Sequence, residues 1–247
     1  MALKKSELIV ALDVDSLGEA ENLAKKLSSV VDIFKVGSQL FTMFGPTAVK
    51  KIVSLGKRVF LDLKYHDIPQ TVSYSTSGAI ALSASISNQI SIQQENAPGV
   101  FMLTVHTQGG RQMLEAAAKT SREKAAELKV KRPLIVGVTV LTSDERKDNM
   151  KDIVLDRARL AKESGLDGVV ASVEEASHIR REFGEDFIIV TPGIRPRGTK
   201  TDDQKRVGTP ADAVKAGSNF LVVGRPIIKA SDPLKAAQDI VQEINNS

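Results

Sequence analysis

Short apolar runs rich in Val, Ile and Phe alternate along the chain with longer stretches whose apolar residues recur at helical spacing. Eight such runs stand out, at 8–14, 33–37, 59–64, 100–106, 134–141, 168–172, 187–192 and 220–225. Helical segments lie between them at 16–27, 46–55, 112–128, 153–164, 173–183 and 209–216. After the last run, 232–244 carries Leu234, Ala237, Ile240, Val241 and Ile244 at helical spacing. Near-continuous apolar strands, each followed by a helix, predict a parallel sheet covered by helices. Eight such units favour closure into a (β/α)8, or TIM, barrel over an open sheet. The 247 residues suit one barrel of this kind, which takes about 250. No low-complexity linker divides the chain, so we expect one α/β domain over 1–247.

One stretch departs from the pattern. Residues 70–98 are far more than the next helix needs, an average helix having about 11–12 residues. Within it Ile80, Leu82, Ala84 and Ile86 alternate with Ala81, Ser83, Ser85 and Ser87, a strand-like period of two. From 89 to 98 the chain turns polar. Both a helix with an appended excursion and a partly disordered loop fit this composition.

Composition narrows the class. The chain is 42% hydrophobic and 26% charged, ordinary for a globular protein with a sizeable core. No apolar run approaches the roughly 20 residues that cross a bilayer. The opening MALKKSELIVALDV has an apolar stretch too short for a secretory leader, and it ends in acids. The absence of cysteine excludes disulfides, thiolate catalysis and cysteine-ligated metal. A cytoplasmic enzyme, not associated with membrane, is the expectation. The net charge of +4 is spread along the chain, aromatic residues make up 4% and there is no Trp. That favours a small anionic substrate over nucleic acid.

Active sites of such barrels lie at the C-terminal ends of the strands, so charges embedded in or just past the apolar runs carry the most information. Asp13 ends the first strand and Lys35 interrupts the second. The third runs into LDLKYHDIPQT, with Asp62, Lys64 and Asp67. His106 ends the fourth, Thr139 to Ser143 the fifth and Ser172 the sixth. Singly, each reads as a surface residue at a strand terminus. Asp62 and Lys64 read differently, because residues two apart on a strand project to one face. Charges buried at a barrel mouth need partners, and an alternating set drawn from Lys35, Asp62, Lys64 and Asp67 supplies them. A lysine ammonium held among carboxylates is suited to general acid catalysis.

The last two strand ends suggest a phosphate site, which barrels of this class often build from the loops after strands seven and eight. The motifs are TPGIRPRG and VVGRP. Gly193 and Gly224 allow close backbone approach. Arg225 offers a charged fork suited to phosphate oxygens, and Arg195 and Gln204 add donors from the seventh loop.

Together VALD, FKVG, FLDLKYHDIPQT, VTVLTS, LDGVVAS, VTPGIRPRG, the DDQKR around Gln204, and VVGRP resemble the orotidine 5′-phosphate decarboxylase family, in the expected order over almost the whole chain. The DxKxxD core is shared with related sugar-phosphate enzymes, whereas DLKxHDIPxT, VLTS and TPGIRP are more specific. The resemblance implies decarboxylation of orotidine 5′-monophosphate to uridine 5′-monophosphate without metal or other cofactor. It implies that Lys64 donates a proton to C6 of the pyrimidine, that Asp62 sits beside the substrate carboxylate and that Lys35 completes the array. Asp13 would bind the ribose, and Thr142 and Ser143 the pyrimidine. Gln204, Gly224 and Arg225 would hold the phosphate, with Arg195 nearby. Asp67, Ile68 and Thr71 would cross a homodimer interface to the neighbouring site. The 70–98 stretch is longer than the family's usual third helix.

Two alternatives remain at this stage. A Mg²⁺-dependent sugar-phosphate lyase or decarboxylase would share the DxKxxD core but would want an acidic metal ligand where Lys35 stands. A non-catalytic nucleotide-binding barrel would tolerate loss of Lys64 or Asp62, and both are present in full context.

Overall fold

Eight parallel strands close on themselves in sequence order, each hydrogen-bonded to the next and the eighth to the first. The computed structural model describes residues 6–87, 99–141, 149–196 and 207–247. The strands are β1 (Glu7–Ala11), β2 (Ile33–Gly37), β3 (Arg58–Tyr65), β4 (Gly99–His106), β5 (Leu134–Val138), β6 (Gly168–Val170), β7 (Ile188–Thr191) and β8 (Phe220–Val223). The helices outside them are α1 (Leu17–Leu27), α2 (Ser38–Phe44), α3 (Pro46–Val53), α4 (Pro69–Ser87), α5 (Gly110–Leu128), α6 (Met150–Glu163), α7 (Val173–Phe183), α8 (Pro210–Lys215), α9 (Arg225–Ile228) and α10 (Pro233–Asn245). The eight expected strands are all present, mostly trimmed by one to three residues at the C-terminal end, where polar residues leave the ladder. Two short helices, α2 and α9, were not anticipated.

Burial separates into two layers. Ile9, Ala11, Ile33, Phe60, Met102, Val136, Val190, Phe220 and Val222 fill the barrel interior. Alternate residues such as Val10, Phe34, Leu61, Leu103, Ile135 and Ile189 pack outward against the helices. Strands buried on both faces are why the runs read as continuously apolar. At the N-terminal end of the barrel the buried Arg58 guanidinium reaches Asp32 at 2.5 Å and Glu7 at 2.7 Å, and lies 4.5 Å over the Phe101 ring. That plug is structural and leaves the opposite end for chemistry.

Of the two readings left open for the stretch after Pro69, the helix holds as far as residue 87: despite its strand-like alternation, 80–87 is the second half of the 19-residue α4. Between residues 69 and 84 of α4 the buried ones are Val72, Thr76, Ala79, Ile80 and Ser83, which is helical spacing. Small side chains bring it close to α5, where Ser73 and Thr120 hydroxyls meet at 2.7 Å. The Ser83 hydroxyl accepts from the Val100 amide at 2.9 Å and ties the helix to β4. A serine facing inward for that purpose looked, in the sequence, like the polar side of a strand. The expected polar excursion at 89–98 lies outside the described residues. Among the described residues no helix is long and apolar enough to cross a membrane.

Candidate active site

The C-terminal strand ends surround a cavity of about 630 Å³. Its floor is made by Ala11, Phe60, Val138, Val170, Val190 and Val222, and its polar wall by Asp13, Lys35, Asp62, Lys64, Arg195 and Arg225. Register places these groups. Ala11 pairs with Lys35, Lys35 with Phe60 and Gly37 with Asp62, so Asp62 stands two residues beyond the partner of Lys35, on the adjacent strand and towards the C-terminal ends.

The charges form a continuous alternating line. Lys35 Nζ donates to Asp13 Oδ1 at 3.0 Å and lies 3.6 Å from Asp62 Oδ2. Lys64 Nζ lies 2.9 and 3.0 Å from the two Asp62 oxygens. Lys35 and Asp62 are both only 9% exposed. Burial alone would push the Asp62 carboxyl up, but the Lys35 and Lys64 ammonium groups, with hydrogen bonds from Lys64 and Thr104, hold it below the usual carboxylate value. Burial likewise works against the Lys35 ammonium, and Asp62 and Asp13 outweigh it, so its pKa lies above the ordinary lysine value. The middle of the line is thus locked in its charged form.

Gly37 permits this approach. A methyl group at its α-carbon would lie 2.8 Å from Lys35 Nζ and 3.3 Å from Asp13 Oδ1. The contact falls on the far end of a flexible side chain, so the fold would tolerate it, but the ammonium would be displaced.

The meeting of Asp62 and Lys64 has a different origin from simple strand alternation. Lys64 has φ +51°, in the left-handed region. From Leu61 to Tyr65 β3 advances four positions where β4 advances two. This bulge turns Lys64 back onto Asp62. Thr104, an inward residue of β4, supports the turn: it accepts from the Lys64 amide at 2.8 Å and donates to Asp62 Oδ1 at 3.0 Å. Sequence reasoning passed over Thr104 in favour of His106, two residues on. The signal was available, as a hydroxyl at an inward position of a barrel strand.

His106 takes no part in the cavity. It stacks on His66 with centroids 5.4 Å apart, and its Nδ1 accepts from the Gln108 amide. The Thr139 hydroxyl is spent on the Val170 carbonyl at 2.8 Å, and Ser172 forms a capping box with Glu175 at the start of α7. Asp67 does not join the array within its own chain; it is exposed and accepts from the Ile68 amide at 2.6 Å. Asp13 holds the fourth place instead. Ile68 and Thr71 are exposed beside Asp67, outside the cavity.

Gly193, Arg195, Gly224 and Arg225 all line the cavity on the side of β7 and β8. Arg195 is buried, its amide donates to the Gly208 carbonyl at 2.9 Å, and Ile194 bridges Gly208. Those bonds join the two ends of the segment that contains Gln204. Gln204, like Thr142 and Ser143, lies outside the described residues. Asp15, Gln39 and Lys229 also line the cavity and were not foreseen, and Gln39 donates to Asp15 at 2.7 Å.

One expected result concerns the buried pair. Asp62→Asn removes the carboxylate that offsets two ammonium groups, which for a buried pair costs about 3–5 kcal/mol. Because the folded-state pKa of Asp62 is depressed, its contribution is fully present above the ordinary value of 3.8 and is lost as pH falls through the lower folded value. The gap in melting temperature between wild type and Asp62→Asn should therefore be constant over about pH 5–8 and narrow only in stronger acid. A gap that closes near neutrality would show that Asp62 is not held ionised.

Comparison with known proteins gives a consistent picture. A family described as orotidine 5′-phosphate decarboxylase / HUMPS matches residues 6–240. The orotidine 5′-phosphate decarboxylase of Moorella thermoacetica is 45% identical, with 97% of this chain and 92% of that one covered. That of Trichlorobacter lovleyi is 46% identical over 97% and 95%. The crystal structure of the Lactobacillus acidophilus orotidine 5′-phosphate decarboxylase superposes with a TM-score of 0.75 at 35% identity, covering 97% of this chain and 99% of that one.

Proposed function

The chain belongs to the orotidine 5′-phosphate decarboxylase / HUMPS family, and from that premise we propose how its charged line carries out the reaction. The protein decarboxylates orotidine 5′-monophosphate to uridine 5′-monophosphate and carbon dioxide, a step of pyrimidine biosynthesis. The observation that carries the mechanism is the Lys64 ammonium, held by both Asp62 oxygens at 2.9 and 3.0 Å inside the cavity.

In this reading the bond between C6 and the substrate carboxylate breaks, carbon dioxide leaves, and the electron pair stays on C6. The Lys64 ammonium stabilises that carbanion electrostatically and then gives it a proton, taking another from water afterwards. Asp62 lies beside the departing carboxylate. Lys35 fixes Asp62 on one side and Asp13 on the other, and Asp13 takes the ribose. Thr142 and Ser143 meet the pyrimidine. Gly224, Arg225, Arg195 and Gln204 hold the phosphate, away from the reacting bond, so its binding energy serves alignment and loop closure. No metal or organic cofactor enters. A divalent cation would have to compete for Asp62 with Lys35, whose ammonium lies 3.6 Å away.

The reading includes a homodimer in which Asp67, Ile68 and Thr71 serve the neighbour's site. Its support is the exposed apolar surface around them, Ile68 at 65% and Tyr74 at 69% exposure. The whole chain, 1–247, acts as one domain, in the cytoplasm.

The phosphate grip provides the test. Arg225→Ala should lower kcat/KM for orotidine 5′-monophosphate about ten- to a hundredfold, the range for a lost charge-assisted hydrogen bond. In the wild type, a nucleoside lacking the phosphate should react far more slowly and be partly rescued by added phosphite dianion. Equal kinetics with and without the substrate phosphate would show that the loops after β7 and β8 are misassigned.

A further inference from the structure

Thr104 lies beneath the Asp62–Lys64 pair, 1% exposed and not in the cavity wall. It touches the site through one oxygen. That oxygen accepts from the Lys64 amide at 2.8 Å and donates to Asp62 Oδ1 at 3.0 Å. An amide N–H only donates, and a threonine hydroxyl has one hydrogen. The hydrogen of Thr104 is therefore committed to Asp62, and the direction of both bonds is set.

What these bonds hold is not at rest. Lys64 has φ +51°, a conformation that residues with a β-carbon disfavour and that persists only when the surroundings impose it. Relaxation to ordinary strand geometry would swing the side chain off Asp62, because the bulge is what turns it there. The Asp62 carboxylate has its own freedom about the terminal torsion, which is broad for such groups. A hydroxyl bonded to one named oxygen restricts that rotation and presents both oxygens to the two lysines.

We infer that Thr104 is a positioning residue for this reaction: through a single hydroxyl it fixes the main chain of Lys64 and the rotation of Asp62, and so aims the ammonium. The inference rests on the reading of Lys64 as the proton donor. Thr104 itself touches neither substrate nor reacting atoms. Its effect belongs on turnover, since misaim of the donor matters most when the carbanion forms, and much less on binding through the remote phosphate.

The experiment compares Thr104→Val, Thr104→Ala and Thr104→Ser in the full chain. It measures kcat and KM for orotidine 5′-monophosphate, the dissociation constant of uridine 5′-monophosphate and the melting temperature. Valine keeps the β-branched shape a strand prefers and removes only the hydroxyl; alanine removes it without bulk, should valine disturb folding. Both should lower kcat on the order of ten- to a hundredfold while KM and product affinity stay within about threefold. Serine, which keeps the hydroxyl, should restore most of the turnover. Wild-type kcat in folded Thr104→Val or Thr104→Ala, or a serine variant as impaired as they are, overturns the inference. Lys64→Ala is measured alongside. If it stays active, the reading of Lys64 fails; if it is dead while Thr104→Val is fully active, Thr104 alone is misassigned.

Discussion

Lys64→Ala is expected to lower turnover of orotidine 5′-monophosphate by about three powers of ten or more, because in the proposed mechanism it removes both the charge that stabilises the C6 carbanion and the proton that ends it. The protein should still fold. Alanine has the same β-carbon as lysine, so it meets no new strain at φ +51°. Asp62 keeps Lys35 at 3.6 Å and the Thr104 hydroxyl at 3.0 Å, so it is not left without a countercharge. Binding of uridine 5′-monophosphate should therefore persist, since the residues proposed to hold the ribose and phosphate are intact. Lys64→Arg should not recover the lost rate, because a guanidinium keeps the charge but gives up a proton far less readily. Substantial activity in purified Lys64→Ala would sink the mechanism, and a folded variant that no longer binds the product would assign Lys64 to binding.

How far the sequence revealed this site differs from element to element. The run at 33–37 was legible to the residue, because β2 is buried on both faces and its one charge, Lys35, stood out against it. Asp62 and Lys64 were legible as a pair, yet for an incomplete reason. Alternation predicts one face, whereas the actual contact depends on a bulge and a left-handed residue that no spacing announces. The fourth member of the line within one chain was not foreseen. Asp67 is close in sequence, but Asp13 is close in space, since β1 and β2 are neighbours in the barrel. The alternation in α4 left its structure undecided because polar residues face inward, Ser73 to Thr120 of α5 and Ser83 to β4, which reverses the usual sense of polarity. His106 and Ser172 misled in the opposite way, as polar strand-end residues spent on local structure.

The second large effect is expected from the exposed carboxylate of Asp67. If it serves the neighbouring site while Lys64 serves its own, homodimers of Asp67→Ala and of Lys64→Ala should both be nearly inactive. Refolding the two variants together allows mixed dimers, in which one site draws Lys64 and Asp67 from the undamaged positions and the other carries both lesions. Random pairing of equal amounts makes about half of the dimers mixed, so about a quarter of all sites should be intact by two-fold symmetry. Activity should rise from near zero towards roughly a quarter of wild type. Ile68 and Tyr74, exposed on either side of Thr71, give such an interface apolar surface to bury. Subunit exchange without any gain in activity would show that Asp67 acts within its own chain or not at all.

In the proposed mechanism a line of protein charges, Asp13, Lys35, Asp62 and Lys64, performs this decarboxylation with no metal. The most direct measurement follows the absorbance change of orotidine 5′-monophosphate with purified protein dialysed against a chelator and assayed in its presence. The account predicts stoichiometric conversion to uridine 5′-monophosphate at an unchanged rate, with or without added Mg²⁺. Loss of turnover in chelator and its return with Mg²⁺ would contradict it, as would an intact protein that binds the nucleotide and leaves it unchanged.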